Sequence, residues 1–316
     1  MKSLASLILL SAALSAPCAD AAGPAAPMMK VHDLASAFQQ VADRNAGQPD
    51  AAVRDFRETI VPRFPQFYGP QRYQGKVSEE QRDAQYARAF AEFPAIRTAY
   101  IEKVEGFTRG LPGHIARFRE EFPDYPATTD IWFLHSLGEM DGGVRTLGGK
   151  QYFVFGADVM TQVHGDGDEA AFFHHELFHD YHTLQCGGDL VWSQLWREGL
   201  ATYVSKRMNP KASDAELLLD MPSGLVPDTR RQMRRALVDL HAKLDSSDGT
   251  AMAGLFQRRG DQTGLPARRG YYLGYLVAEE VGKTMSMRQM AKLDCDASRK
   301  AIMAALDRLR GAQGAE

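Results

Sequence analysis

The chain has 316 residues, of which 44% are hydrophobic and 24% charged, and its formal net charge is -3 at pH 7. This supplies apolar material for one large core or two modest ones, and excludes a fibrous or disordered composition. It also lacks the global basic field that recruits nucleic acid.

Met1-Lys2-Ser3 followed by an apolar run from Leu4 to Leu14 reads as a secretory signal peptide. Ala19-Asp20-Ala21 fits the cleavage site, so residues 1–21 are expected to be removed. The run is too short to span a bilayer, so no stable membrane span is expected. Cys18 follows Pro17 and fits a lipobox poorly, so a lipoprotein is not expected. The expected location is periplasmic or secreted. Cys186 and Cys295 then remain, and in an oxidising compartment they either pair or stay as separate buried thiols.

Residues 22–125 read as a helical N-terminal subdomain. Val31, Leu34, Phe38 and Val41 keep one face, as do Tyr86, Phe90 and Phe93, then Ile96, Tyr100, Val104 and Phe107. Such stripes are core rather than ligand contacts. Gly110-Leu111-Pro112-Gly113 is expected to break the helix there. After Pro126 the texture changes: Asp130 to His135 and Gln151 to Phe155 are short, aromatic and β-branched, with glycine pairs at 142–143 and 148–149 between them. Both read as strands.

His174-His175-Glu176-Leu177-Phe178-His179-Asp180-Tyr181-His182 contains one H-E-x-x-H. On a helix, residues four apart lie one turn apart on one face, so His175 and His179 can offer two imidazoles to one metal ion, with Glu176 beside it. Asp166 and Asp168 are expected to cap this helix and Gly187-Gly188 to end it. A hydrolytic zinc site normally has three protein ligands and one open position. The best third candidate is Glu198, with the eighteen residues 180–197 intervening, a length that suits a turn and a returning helix. His182 lies about 10 Å along the axis from His175, too far for those three histidines to share one tetrahedral ion, and reads as a supporting or surface residue. His174 points about 100° away from His175 and reads as an ordinary partly buried histidine. Thr202, four residues after Glu198, and Asp180 are candidates to support the ligands by hydrogen bonds.

H-E-x-x-H, eighteen residues, then E-G-x-A-x-Y resembles the gluzincin clan of zinc metallopeptidases, which includes thermolysin and the neutral zinc aminopeptidases. The resemblance covers roughly residues 130–205 and one later segment. It implies one zinc ion per chain held by His175, His179 and Glu198, with Glu176 as general base for a metal-activated water that hydrolyses a peptide bond. It also implies a mostly helical α+β, zincin-like fold, with a small antiparallel sheet before the zinc helix, carried by residues 126–316. In that fold the sheet edge holds an extended substrate, and Gly142 to Thr146 is the candidate edge, although a simple hairpin cover accounts for the same residues.

Met233, Leu237, Leu240 and Leu244 mark another helix, and Arg230, Arg231, Arg234 and Arg235 beside it read as a solvated face. Then comes Arg268-Arg269-Gly270-Tyr271-Tyr272-Leu273-Gly274-Tyr275, which is similar to a Gly-Tyr-x-x-Gly helix start in gluzincin-like proteins, including predicted zinc-dependent proteases. A tyrosine hydroxyl there is expected to donate to a developing oxyanion, with Tyr272 favoured and Tyr271 and Tyr275 as alternatives, and the arginines are candidates to hold a substrate carboxylate. The aminopeptidase branch carries G-x-M-E-N upstream, whereas Gly138-Glu139-Met140-Asp141-Gly142 does not match it. An endopeptidase acting on peptide or protein substrates is therefore favoured. A non-catalytic exported zinc-binding or interaction protein that keeps the fold is the alternative.

Overall fold

In the computed structural model, residues 29–164, 169–184, 186 and 188–313 are described. The expected signal peptide, the caps at Asp166 and Asp168, and Gly187 lie outside them.

The chain is mostly helical, with one four-stranded sheet, and so belongs to the α+β class. In order, β1 (Val31–Asp33) leads into α1 (Ala35–Arg44), α2 (Pro49–Thr59), the single turn α3 (Pro65–Tyr68) and the long α4 (Glu79–Glu121). Then come β2 (Ile131–Leu134), β3 (Gly142–Leu147), β4 (Lys150–Gly156), α5 (Ala157–Val163), α6 (Ala170–Tyr181) and α7 (Val191–Met208). The C-terminal part is α8 (Leu225–Arg231), α9 (Met233–Lys243), α10 (Gly249–Phe256), α11 (Arg269–Val281), α12 (Met287–Ala291) and α13 (Cys295–Ala312). Among the described residues, no helix is long and apolar enough to cross a membrane.

The sheet is mixed, which corrects the antiparallel expectation. Its order is β1-β2-β4-β3; β1, β2 and β4 run parallel, and only β3 with β4 is antiparallel. β3 and β4 form a tight hairpin whose turn is Gly148-Gly149, both at positive φ, the backbone such hairpins need. Parallel neighbours require long crossovers. The first of these carries α1 to α4, and the second carries β3 itself as an outer strand.

Val31 belongs to β1 rather than to the helical stripe, because pairing of Val31 with Ile131 overrides a local pattern that fits a helix equally well. α4 is a single 43-residue helix that runs through Pro94 and Pro112. Each proline removes one backbone donor and crowds the preceding turn. Here Leu111, Ile115 and Phe118 are buried on both sides of Pro112, and that burial holds the helix together. Its start is a capping box, with Ser78 accepting from the Gln81 N–H and Gln81 accepting from the Ser78 N–H. One hydrophobic core contains residues from both sides of position 125, with Phe107 of α4 packed edge-on against Phe173 of α6 at 5.6 Å.

α6 stops at Tyr181, well before the glycines expected to end it. The segment that follows is drawn away by a disulfide between Cys186 and Cys295, with Cα atoms 5.4 Å apart, which ties the exit of α6 to the start of α13. α7 and α11 cross glycine to glycine. A Cβ built on Gly199 would lie 2.2 Å from the Gly274 carbonyl carbon, and one on Gly274 would lie 2.6 Å from the Leu195 carbonyl oxygen. Because the obstacle is backbone, no rotamer change relieves it. Gly199→Ala is therefore expected to cost about 1–3 kcal/mol as the helices are forced apart. Denaturant titration checks this, and unchanged stability refutes the close crossing.

Candidate metal centre

α6 and α7 pack side by side and bring three donor atoms together. His175 Nε2 and His179 Nε2 are 3.0 Å apart, and Glu198 Oε2 lies 3.5 Å from the first and 3.4 Å from the second. In a tetrahedral shell with bonds of about 2.0–2.1 Å, neighbouring donors are roughly 3.3 Å apart. Two imidazoles and a carboxylate also form a known three-ligand donor set for zinc. The residues therefore fit a metal of that kind. Among the described residues they are the one group of His, Cys, Asp and Glu side chains arranged in this way.

The helical repeat explains the pair: residues 175 and 179 are one turn apart, and both rings turn toward α7. Glu198 is buried on α7, where Gln194, one turn earlier, donates to its Oε1 at 3.0 Å. The Arg197 guanidinium lies 3.4 Å from the same oxygen. Burial works to raise the Glu198 carboxyl, but the His179 and His175 imidazoles outweigh it and hold the group well below the usual carboxylate range. Thr202 Oγ1 donates to the Glu198 backbone carbonyl at 2.8 Å and lies 3.5 Å from His175 Nδ1. Asp180 supports no histidine: it accepts from the Tyr125 hydroxyl at 2.6 Å and from Thr129 Oγ1 at 3.0 Å.

Glu176 is not one of the three donors. It faces the sheet, where a Cβ on Gly143 would lie 3.2 Å from its Oε2. Burial, the largest cause, pushes its carboxyl up to about 7, and the nearby Asp141 and Glu198 charges add to this. Gly143 has φ +127°, and the absent side chain lets strand β3 pass close over the carboxyl.

A cleft of about 700 Å³ opens over this group. Gly142 to Thr146 of β3 line it, as do Leu217, Leu218, Arg268 and Tyr271. β3 is an edge strand, as expected, and its outer edge faces the cleft.

Tyr272, the favoured tyrosine, is not among the residues that line the cleft. Tyr272 is buried among Ala171, Leu217, Leu219 and Val226, and its hydroxyl accepts a 2.7 Å hydrogen bond from Arg230 Nε rather than facing the cleft. Tyr271 lines the cleft. Gly274 is the point where α11 meets α7, and Tyr271 lies three residues before it on that face, whereas Tyr272 is turned about 100° away. The Glu198 charge first, and then burial, raise the Tyr271 hydroxyl well above its ordinary value, so it stays a phenol and a donor. Tyr275 bonds Glu279 at 2.7 Å.

His182 caps α6 and is buried, stacked on Phe178, which corrects the surface reading; neither ring nitrogen has a hydrogen-bond partner among the described residues. His174 is fully buried, with Nε2 3.1 Å from the His114 carbonyl oxygen and Nδ1 2.9 Å from the Asn209 amide. Burial lowers it to about 4, so it is a neutral core residue.

No family model matches the chain, and neither does any curated protein or solved structure.

Sequence reasoning missed a chain of charges behind β3. Lys103 pairs with Glu169, Glu169 Oε2 lies 2.8 Å from His164 Nδ1, and His164 Nε2 lies 3.3 Å from Asp141. Asp141 Oδ1 in turn accepts from the Gly142 N–H at 3.0 Å, at the root of the edge strand. Nothing in the local sequence signals contacts among residues 103, 141, 164 and 169. The signal for Gln194 was its four-residue spacing from Glu198.

Burial alone would lower the His164 pKa, but its bonds to Asp141 and Glu169 outweigh that and raise it to about 8. A raised histidine stabilises the fold fully below its unfolded value and loses that contribution as pH rises through about 8. Between pH 6 and 9 the wild type is expected to lose on the order of 2 kcal/mol that His164→Asn does not lose. Urea titrations at the two pH values measure the difference, and parallel losses would refute the charged histidine.

Proposed function

We propose that this chain is a zinc-dependent peptidase of gluzincin type, exported to the periplasm or secreted, which cuts within peptide or protein chains. The observation that supports this best is the convergence of His175, His179 and Glu198 beneath an edge strand, with the non-ligand carboxyl of Glu176 between them and that strand. A site that only held metal would have no use for that carboxyl and would usually be closed by a fourth protein ligand.

Bound at these donors, zinc supplies Lewis acidity, which acidifies water and polarises a carbonyl oxygen. The chain's own residues do the rest. The backbone groups of Gly142 to Thr146 hold an extended peptide by strand addition. Glu176 takes up a proton at the carboxyl that faces Gly143 and returns it to the leaving amine; a buried carboxyl with a pKa near neutrality suits that exchange. The Tyr271 hydroxyl donates to the developing oxyanion. Glu139 is paired with Arg72 and Asp141 with His164, so neither carboxylate at the unmatched G-x-M-E-N position is free to take a substrate amine. This supports endopeptidase over aminopeptidase action. The test is cleavage of a mixed peptide library by the zinc-supplied chain beside its Glu176→Gln variant, with products identified by mass spectrometry.

A further inference from the structure

Arg268 and Arg269 are neighbours with opposite circumstances. Arg269 is fully buried and neutralised: its Nη2 lies 2.6 Å from Asp239 and 2.8 Å from Asp261, and its Nη1 donates to the Gly254 and Pro266 carbonyls. It is a structural ion pair that anchors the start of α11.

Arg268 is 8% exposed and lines the cleft. Its Nη1 donates to the Met221 carbonyl at 3.2 Å, and its guanidinium lies 4.5 Å above the centre of the Tyr271 ring. No carboxylate of the described residues lies within ion-pair distance of it. Its backbone is held in the left-handed region, with φ 61°, just before α11 begins. A guanidinium so far removed from water is costly without a counter-charge, and the Met221 carbonyl and the Tyr271 hydroxyl together still leave donors of its five-donor fork unused. The other two arginines of the cleft differ. Arg197 is half exposed and already beside Glu198, and Arg145 is only partly buried on β3.

We infer that Arg268 is a carboxylate-binding residue of the cleft, which takes a substrate's terminal carboxylate or the side chain of an aspartate or glutamate. The ligand class rests on the peptidase reading, but the binding itself does not. A planar fork, held over an aromatic ring in a largely dry wall, matches a carboxylate in two-point contact. Leu217 and Leu218 line the same cleft and provide apolar surface for the rest of that residue.

The test uses the full zinc-supplied chain and three probes: acetyl-Ala-Ala-Phe as free acid, the same peptide as its amide, and acetyl-Ala-Glu-Ala-amide. Affinity is measured by calorimetry, and peptide cleavage is followed in the same samples. At least one carboxylate probe is expected to bind about 30-fold more tightly than the neutral amide, the scale of a desolvated charge pair. In Arg268→Gln that preference is expected to fall below about 3-fold, with metal content and melting temperature unchanged. Preference for the free acid identifies a terminal carboxylate, and preference for the glutamyl amide identifies an acidic side chain. Equal binding of all three probes by the wild type overturns the inference and needs no variant, and so does a preference that survives in folded Arg268→Gln. Carboxylate preference without any cleavage keeps this inference and sinks the peptidase reading; cleavage without the preference does the reverse.

Discussion

His175→Ala is expected to strip the chain of its metal. The wild type, purified without added metal, should carry about one zinc ion per chain, and the variant well under a tenth of that after dialysis. The three donors lie 3.0–3.5 Å apart on two packed helices, so the protein has already met the cost of gathering them. Removing one imidazole leaves His179 and Glu198, two donors that cannot close a three-ligand shell. Loss of one of three protein ligands at a preorganised site should lower affinity by about 100-fold or more, since even the outer partners of such ligands are worth about 10–100-fold. Elemental analysis of both proteins measures it. Glu198→Ala should act in the same direction, because that carboxylate supplies the negative charge of the set. Equal zinc in wild type and His175→Ala would place the ion elsewhere. No metal in either, even after zinc is supplied, would favour the non-catalytic interaction protein.

Glu176→Gln should separate chemistry from metal binding. The substitution keeps size and shape, and the carboxyl it replaces is not among the three donors, so zinc content is expected to stay near one per chain. Turnover is expected to fall by about 100- to 10,000-fold, the usual contribution of a positioned general base. An amide cannot take up the proton that the Glu176 carboxyl takes beneath Gly143. Side-by-side measurement of zinc content and of library cleavage gives both numbers from one preparation. A variant that keeps its zinc and cleaves within tenfold of the wild type removes Glu176 from the mechanism. One that loses both its zinc and its activity would show instead that the carboxyl helps to hold the metal.

Several features are legible in the sequence alone. The four-residue spacing of His175 and His179 is a property of one helix, and a helix places such residues on one face whatever surrounds it. Glu198 was identified from its neighbours and from the length of the intervening chain, and the structure brings its carboxylate to both histidines. The segments Asp130 to His135 and Gln151 to Phe155 are short and rich in aromatic and β-branched residues with glycine turns between them, and they contain the observed strand Ile131–Leu134 and most of Lys150–Gly156, while Gly142 to Thr146 does form the sheet edge.

The remaining features depend on contacts between residues far apart in the chain. Val31 fits a helical stripe as well as a strand, and only its partner Ile131 decides. Pro112 reads as a break until the burial of Leu111, Ile115 and Phe118 outweighs it. Cys186 and Cys295 are separated by 109 residues, and no sequence pattern measures their distance. The choice between Tyr271 and Tyr272 turns on a rotation of about 100°. That rotation is set by the contact of Gly274 with Gly199, so Tyr271 reaches the cleft and Tyr272 reaches Arg230. Arg268 and Arg269 are identical letters side by side; Asp239 and Asp261 neutralise one and leave the other facing the cleft. The sequence by itself determined the spacing of His175 and His179 and the local elements that carry them and Glu198, because helix and strand periodicity are short-range. Tertiary structure alone decided which neighbouring side chains face the site, because that depends on how distant backbones pack.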